Sequence, residues 1–446
     1  MTPTFLAERP EAASPRPYVF PEVRSLAVGS GRILAAHLPG QPIAWLSLLL
    51  EQGALREPEG LDGLARATAG LLDEGTAKRS ADDFGAAVES LGGNWAVDTG
   101  WESVRLSIDL PTGSAAAGAD LLAEAMRTPA FSDEDVERYL SDLVASRFEA
   151  FARPGPRARL ALRSAQFGAQ TRFGRLVGGD PETNAALDAE AVRAFHAQWL
   201  RSAGTLLVAG DLDRIDLDTV GATVFGDFPQ DAAQRVPTPT PLDRPQRLAV
   251  ADRPGAVQST LRIGHPAPSR AAAAEHGIDV VALRIGATVL GGSFSSRLNH
   301  ELREVKGYTY GAHAGFDLGR PLGQFAMSAE VRTDATATAV GDALRVIREF
   351  LDGGVTATEL DDIRAYLAGA TPIGLQTAGA IGYRLSEMAR HGLPGDYVTT
   401  EHARLLEVTL DEVNAAVRTA LDPDSLVVAV EGDESVIGAE LAALDL

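Results

Sequence analysis

Short apolar runs of strand length and longer stretches with one apolar helical face are mixed throughout this chain. Residues 32–37 (RILAAH) and 43–50 (IAWLSLLL) are parted by a break containing Pro and Gly, which predicts a hairpin. Residues 247–252 and 258–263 predict another, parted by RPGAV. Residues 131–147 (FSDEDVERYLSDLVASR) and 358–371 (TELDDIRAYLAGAT) read as helices with a charged start and one apolar face, each followed by a second helical stretch. Residues 187–211 (LDAEAVRAFHAQWLRSAGTLLVAGD) and 410–433 (LDEVNAAVRTALDPDSLVVAVEGD) share a longer plan. Each predicts an Asp N-cap, an amphipathic helix, a break, an apolar strand and a Gly-Asp turn.

These pairs fall in the same order in the two halves of the chain, which predicts an internal duplication rather than two unrelated domains. Between them, residues 234–247 (QRVPTPTPLDRPQR) hold four prolines and few apolar residues, the composition of an extended linker. The predicted organisation is an extended arm over residues 1–23, an N-terminal domain over 24–233, the linker over 234–247 and a C-terminal domain over 248–446. Strands and helices mix without regular βαβ alternation. The expected class is α+β, with helices packed on mainly antiparallel sheets.

Composition narrows the chemistry. The chain has 446 residues, enough for roughly two to four domains. It has no Cys, which excludes disulfides, thiolate metal sites and Cys nucleophiles. A net charge of −21 argues against nucleic acid as a partner, tolerates basic peptides and favours solubility. No run approaches the roughly 18 apolar residues of a membrane span. The N-terminal stretch lacks the apolar core of a signal peptide. The expected compartment is the cytoplasm, or the periplasm or exterior if a signal peptide has been removed.

Residues 63–76 read GLARATAGLLDEGT. This segment resembles the motif helix of the pitrilysin/insulinase-type zinc peptidases, the inverzincins. In active members that helix carries His-x-x-Glu-His, two zinc ligands and a general base. In register with Gly75-Thr76, those positions fall on Arg66, Ala69 and Gly70, none of which ligates zinc or moves a proton. The helix from Phe131 resembles the later helix that brings the third ligand, with Pro154 as the proline that follows it. The resemblance puts the ligand Glu at Ser146 and an earlier Glu at Tyr139. All ligand positions have gone together, so no metal is expected on this chain. None of its eight His pairs with another at metal-helix spacing, and His300-Glu301-Leu302-Arg303-Glu304 lacks the second His of a zincin motif. Asp73 and Glu74 are expected to face solvent or cap a turn.

Residues 291–316 read GGSFSSRLNHELREVKGYTYGAHAGF. They closely resemble the family's second signature, a Gly/Ser turn, a Ser-Arg-Leu helix, Leu-Arg-Glu, then Gly and Tyr. In active relatives the Arg and the last Tyr reach into the zinc site; carried over, these are Arg303 and Tyr310. A phenol O–H can donate where an oxyanion develops, and a guanidinium can orient it or hold the substrate backbone. The structural alternative is that the pair stabilises a helix–strand corner. Tyr308 and Tyr310 are expected to share one strand face. Gly292 and Ser293 are candidates to approach a substrate backbone. Asn94 is a candidate on a substrate-binding edge strand.

The resemblance covers nearly the whole chain after about Arg24. It implies half of a clamshell of paired α+β duplications. The implied function is that of a non-zinc-binding subunit, similar to those of heterodimeric bacterial members and of mitochondrial processing peptidase. Such a subunit supplies Arg303 and Tyr310 to the zinc held by a homologous, zinc-motif-bearing partner that cleaves short unfolded peptides. The alternatives are a structural core-type subunit and a peptide-binding clamshell without a catalytic role.

Overall fold

The computed structural model describes residues 15–29, 31–199, 204–226 and 238–446. Most of the predicted arm (1–14) and the first part of the predicted linker (234–237) lie outside the described residues.

The first sheet has six strands. They are β1 (Val23–Val28), β2 (Gly31–His37), β3 (Ile43–Leu50), β4 (Asn94–Thr99), β5 (Val104–Pro111) and β6 (Gly204–Gly210), in the order β1-β2-β6-β3-β5-β4. The second has five: β7 (Leu248–Asp252), β8 (Gln258–Ala267), β9 (Thr309–Leu318), β10 (Gly323–Arg332) and β11 (Val427–Gly432), in the order β7-β11-β8-β10-β9. Apart from the additional β1, the two orders are the same. The one parallel pairing of each sheet also corresponds, β2 with β6 and β7 with β11. The fold is thus α+β and internally duplicated.

The duplication extends to single hydrogen bonds. Asp211, in the Gly-Asp turn after β6, accepts from the Gly40 N–H at 3.2 Å. Asp433, after β11, accepts from the Gly255 N–H at 2.7 Å. Both glycines have positive φ and lie in the link between the first two apolar strands of their half. The helix of the second plan is capped by Thr409 rather than by an Asp; Thr409 and Glu412 form a reciprocal capping box.

The two predicted hairpins do not form. β6 lies between β2 and β3, and β11 lies between β7 and β8. Sequence neighbours gave way to a strand from the end of each half because β6 and β11 are almost wholly buried, and a central place pairs them on both edges.

Each sheet packs one face on the main core of its own half. The other face is covered reciprocally. Helix Ala378–His391, from the second half, lays Ile381, Leu385 and Met388 on Leu34, Trp45, Leu49 and Leu207 of the first sheet. Helix Pro156–Phe167, from the first half, lays Leu162 and Ala165 on Val427 and Ala429. Polar contacts fix both crossings. Gln166 Nε2 donates to the Gly264 carbonyl at 2.9 Å, and the Gly155 N–H donates to Glu431 at 2.8 Å. Arg105 lies 4.1 Å from the centroid of the Tyr383 ring. The described part of the arm joins the same layer, with Phe20 buried and its N–H donating to Thr399 Oγ1 at 3.0 Å.

Leu385 is 0 % exposed. Leu385→Ala is expected to destabilise the protein by about 2–5 kcal/mol. In chemical denaturation the loss should show equally in probes of either half, because the residue belongs to one half and packs on the other.

Candidate functional site

Two places gather the residues singled out in the sequence. The first is the degenerate motif helix, Leu64–Gly70. Its N-terminus is held by Glu57, which accepts from the N–H groups of Gly63 (3.1 Å) and Ala65 (2.8 Å) and from Arg172 Nε at 2.7 Å. Ala69 is fully buried in the core, whereas Arg66 is exposed and Gly70 half-buried on the neighbouring face. Tyr139 rises against them from helix Asp133–Ala152. A Cβ added to Gly70 would lie 1.9 Å from the Tyr139 hydroxyl. The phenol therefore occupies the space that a side chain at position 70 would need. Ser146 lies two turns further along, exposed, its hydroxyl turned back to donate to the Leu143 carbonyl at 2.8 Å.

A cleft of about 370 Å³ opens beside this group, lined by Arg66, Gly70, Asp73, Tyr139 and the β4 residues Trp95–Thr99. Its charged lining is Arg66, Asp73 and Asp98, with Arg147 close to Arg66. Burial, then the neighbouring Arg66, hold the Arg147 guanidinium below its usual value, and its Nε and Nη2 are buried without a hydrogen-bond partner. Burial pushes the Tyr139 phenol up, with Arg66 and Arg147 working against it and Asp73 and Glu74 adding to it. Asp73 does not simply face solvent. It is half-buried in the cleft wall, and burial, with Glu74 adding to it, pushes its carboxyl up to about 6. Glu74 is paired with Arg138 at 2.7 Å.

Structural zinc requires four ligands, and catalytic zinc three plus an open position. An Arg, an Ala, a Gly packed under a phenol and an outward-facing Ser offer none, so the residues at these positions do not fit zinc. His37, Asp211 and Asp213 bring ligand-type atoms within 4.8 Å of one another elsewhere. There His37 Nδ1 already accepts from the Leu212 N–H at 3.1 Å, and Asp211 closes its turn as Asp433 does in the second half, where no His takes part.

The second place is the retained signature. Residues 288–305 form two π-helical turns, Thr288–Gly292 and His300–Val305, on either side of a short α-helical turn. Gly291 is required there, since a Cβ would lie 2.5 Å from the backbone and side chain of Ala314 on β9. Asn299 ties the turn to the sheet. Its Nδ2 donates to the Ser293 carbonyl at 3.0 Å, and its Oδ1 accepts from the Ala312 N–H at 2.8 Å. Gly307 ends the helix with φ of +64°, as its place in the signature predicts.

Arg303 and Tyr310 emerge on either side of this corner. The Arg303 guanidinium lies 4.1 Å from the centroid of the Phe294 ring, which is itself 69 % exposed. Tyr310 is 95 % exposed. No hydrogen bond joins the two, and neither the guanidinium nor the phenol has a polar partner among the described residues. Tyr308 and Tyr310 do not share a face. The register between β9 and β10 shifts between Ala329 and Val331, a bulge that sends Tyr310 outward while Tyr308 packs on the core. Tyr310 lies with Gln258, Arg262 and His313 in a cleft of about 350 Å³ on the open face of the second sheet.

Of the remaining candidates, Gly292 is exposed and Ser293 buried, its hydroxyl without a hydrogen-bond partner among the described residues. Asn94 begins β4, which pairs only with β5 and is an edge strand. β9 is the edge strand at the same place in the second sheet. Sequence reasoning passed over Arg147 and Phe294, although both stand inside the segments that carried the resemblance. An Arg on a helix or a Phe in a turn gives no signal of its own until the fold shows what faces it.

A family model for insulinase (peptidase family M16) matches residues 32–176, and one for the peptidase M16 inactive domain matches residues 186–367. An uncharacterized zinc protease of Streptomyces coelicolor is 26 % identical over 419 residues, covering 89 % of this chain and 87 % of that protein. The solved peptidase M16 inactive domain from Pseudomonas fluorescens aligns with 92 % of this chain and 98 % of its own, at 24 % identity and a TM-score of 0.82. The periplasmic protease PqqL of Escherichia coli aligns with 95 % of this chain but only 46 % of its own, at 13 % identity and a TM-score of 0.75. The chain belongs to the M16 peptidase family, and its duplicated fold corresponds to about half of the longer PqqL chain.

The fit of Tyr139 over Gly70 predicts that Gly70→Ala destabilises by about 1–3 kcal/mol. In a Tyr139→Phe background the cost should shrink, since the colliding hydroxyl is gone; equal costs in both backgrounds would refute the packing account. Asp73 has a folded-state pKa above its ordinary value of 3.8, so the folded chain holds its proton more tightly between about pH 4 and 6. Its contribution to stability therefore falls as pH rises through that window. Asp73→Asn should raise the melting temperature at pH 7 and leave it nearly unchanged below pH 4.

Proposed function

We propose that this chain is the non-zinc-binding half of a two-subunit M16 peptidase acting on short unfolded peptides. In this reading it lends Arg303 and Tyr310 to the zinc site of a homologous partner. The observation that carries the proposal is the state of those two groups. A phenol 95 % exposed on a bulged edge strand, and a guanidinium steadied only by an exposed aromatic ring, do no work inside this chain. A merely structural corner would be expected to turn them inward or pair them. Exposed Phe294, Val305 and Tyr310 around one Arg have the composition of a contact surface.

The partner's zinc would supply the Lewis acid for attack of water on the scissile carbonyl. Tyr310 would donate its O–H to the carbonyl oxygen as negative charge develops there. Arg303, held over Phe294, would orient the phenol or hold a peptide carbonyl. Neither role requires a proton to leave this chain.

Mixing this chain with a zinc-motif-bearing homologue encoded in the same genome, and following cleavage of a quenched fluorescent peptide library, tests the reading. Only the mixture should cleave. Tyr310→Phe should lower kcat by roughly 10²–10³-fold with little change in the stability of either subunit. A homologue equally active alone, or a Tyr310→Phe mixture with full activity, would leave a scaffold role. Saturable peptide binding by this chain with no cleavage in any mixture would indicate a peptide-binding clamshell.

A further inference from the structure

A further cleft lies away from both places described above, where the two halves meet. It has a volume of about 760 Å³, within the roughly 300–1,000 Å³ typical of small-molecule sites. Glu51, at the end of β3 in the first half, forms one side. Arg320, in the β9–β10 link, and the ends of helices Arg270–Glu275, Ala378–His391 and Tyr397–Glu407 form the others. Part of the wall is apolar, made by Ala271, Ala274, Val280, Val281 and Leu393.

Nearly every charge in the wall is already matched. Arg320 pairs with Glu51 at 3.0 Å and with Glu102 at 3.3 Å. Arg404 pairs with Asp279 at 2.6 Å. Arg270 pairs with Glu387 at 3.2 Å and donates to the Tyr397 hydroxyl. Glu401 takes Arg284 and Arg384. Arg390 is the exception. It is half-buried, and its guanidinium has no hydrogen bond or ion pair among the described residues. It lines this cleft and also an adjoining one of about 420 Å³. Its neighbour His391 lines both as well, and its ring has no hydrogen-bond partner among the described residues. Burial, then Arg270, Arg390 and Arg320, push that imidazole down to about 4, so it is neutral near pH 7.

We propose that this cleft binds a small monovalent organic carboxylate, with Arg390 taking the carboxylate and the Ala/Val/Leu wall taking an apolar tail. The unused donors of Arg390 select the head group. The Arg390 guanidinium acts on Glu102 from a distance but makes no hydrogen bond or ion pair among the described residues, and its planar fork can donate two parallel hydrogen bonds to a carboxylate. A phosphate dianion would bring a second negative charge beside Glu51 and Glu401 of the wall. The wall excludes a purely ionic ligand as the best fit, since much of the surface it offers is apolar. The site belongs to this chain alone and needs no zinc-bearing partner, so it stands or falls separately from the function proposed above.

Octanoate is the probe. Isothermal titration of the full chain should show saturable binding of one octanoate. Acetate, which keeps the head, and octanol, which keeps the tail, should each bind at least tenfold more weakly. Arg390→Gln should weaken octanoate at least tenfold with little change in the melting temperature of the free protein, because the Arg390 guanidinium makes no hydrogen bond or ion pair among the described residues and acts on Glu102 only from a distance. In NMR titrations the His391 imidazole, assigned through His391→Gln, should titrate at higher pH once octanoate is bound, since an adjacent carboxylate favours the charged ring. No saturable binding at millimolar octanoate, equal binding of octanol, or full affinity in Arg390→Gln would each overturn the proposal. Tighter binding of octyl phosphate than octanoate would overturn the choice of head group.

Discussion

The exchange of one helix between the halves is the contact on which the remaining structure depends. Helix Ala378–His391 covers the β2-β6-β3 end of the first sheet, and helix Pro156–Phe167 covers the corresponding β7-β11-β8 end of the second. Strands under those helices are buried on both faces, and they read as continuous apolar runs: IAWLSLLL in β3, GTLLVAG in β6, VVAVEG in β11. Beyond their reach, NWAVDT in β4 and GQFAMSAEVR in β10 alternate between a more and a less buried face. The exchange therefore decides which part of each sheet stays open. The open part is the end at β4 and β9, where the degenerate motif and the Arg303/Tyr310 corner lie.

At Arg66, Ala69 and Gly70, where the family resemblance places the zinc motif, the space is taken by packing and by the neighbouring guanidinium groups of Arg66 and Arg147. Gly70 and Tyr139 fit each other as one unit, with no room for a second side chain between them. Arg66 and Arg147 put positive charge where a ligand set would have held a cation, close enough that Arg66 adds to the depression of Arg147. None of these groups ligates zinc, and a His at position 70 would meet the Tyr139 hydroxyl before it met a metal. The retained corner is built in the opposite manner. Gly291 and Asn299 are fixed by close backbone approach and two hydrogen bonds, while Phe294 and Tyr310 are left exposed and Arg303 half-buried beside the Phe294 ring.

The amino-acid sequence determined the composition of both halves, their duplication, the α+β class and the family resemblance. These are legible because they rest on local periodicity, on residue chemistry and on the order of segments along the chain. Only the tertiary structure decided the strand order. β6 displaced the predicted β2–β3 hairpin because a wholly apolar strand is best satisfied between two others, a competition no local pattern records. The bulge in β9 likewise separated Tyr308 from Tyr310, because one extra residue in a strand inverts every face beyond it and leaves no mark in the composition. The surroundings of Gly70, Arg66 and Arg390 were equally out of reach of the sequence. Tyr139, Arg147 and the inter-half cleft come to these residues from distant segments, and what a side chain fills, repels or lacks depends on what the fold brings to face it.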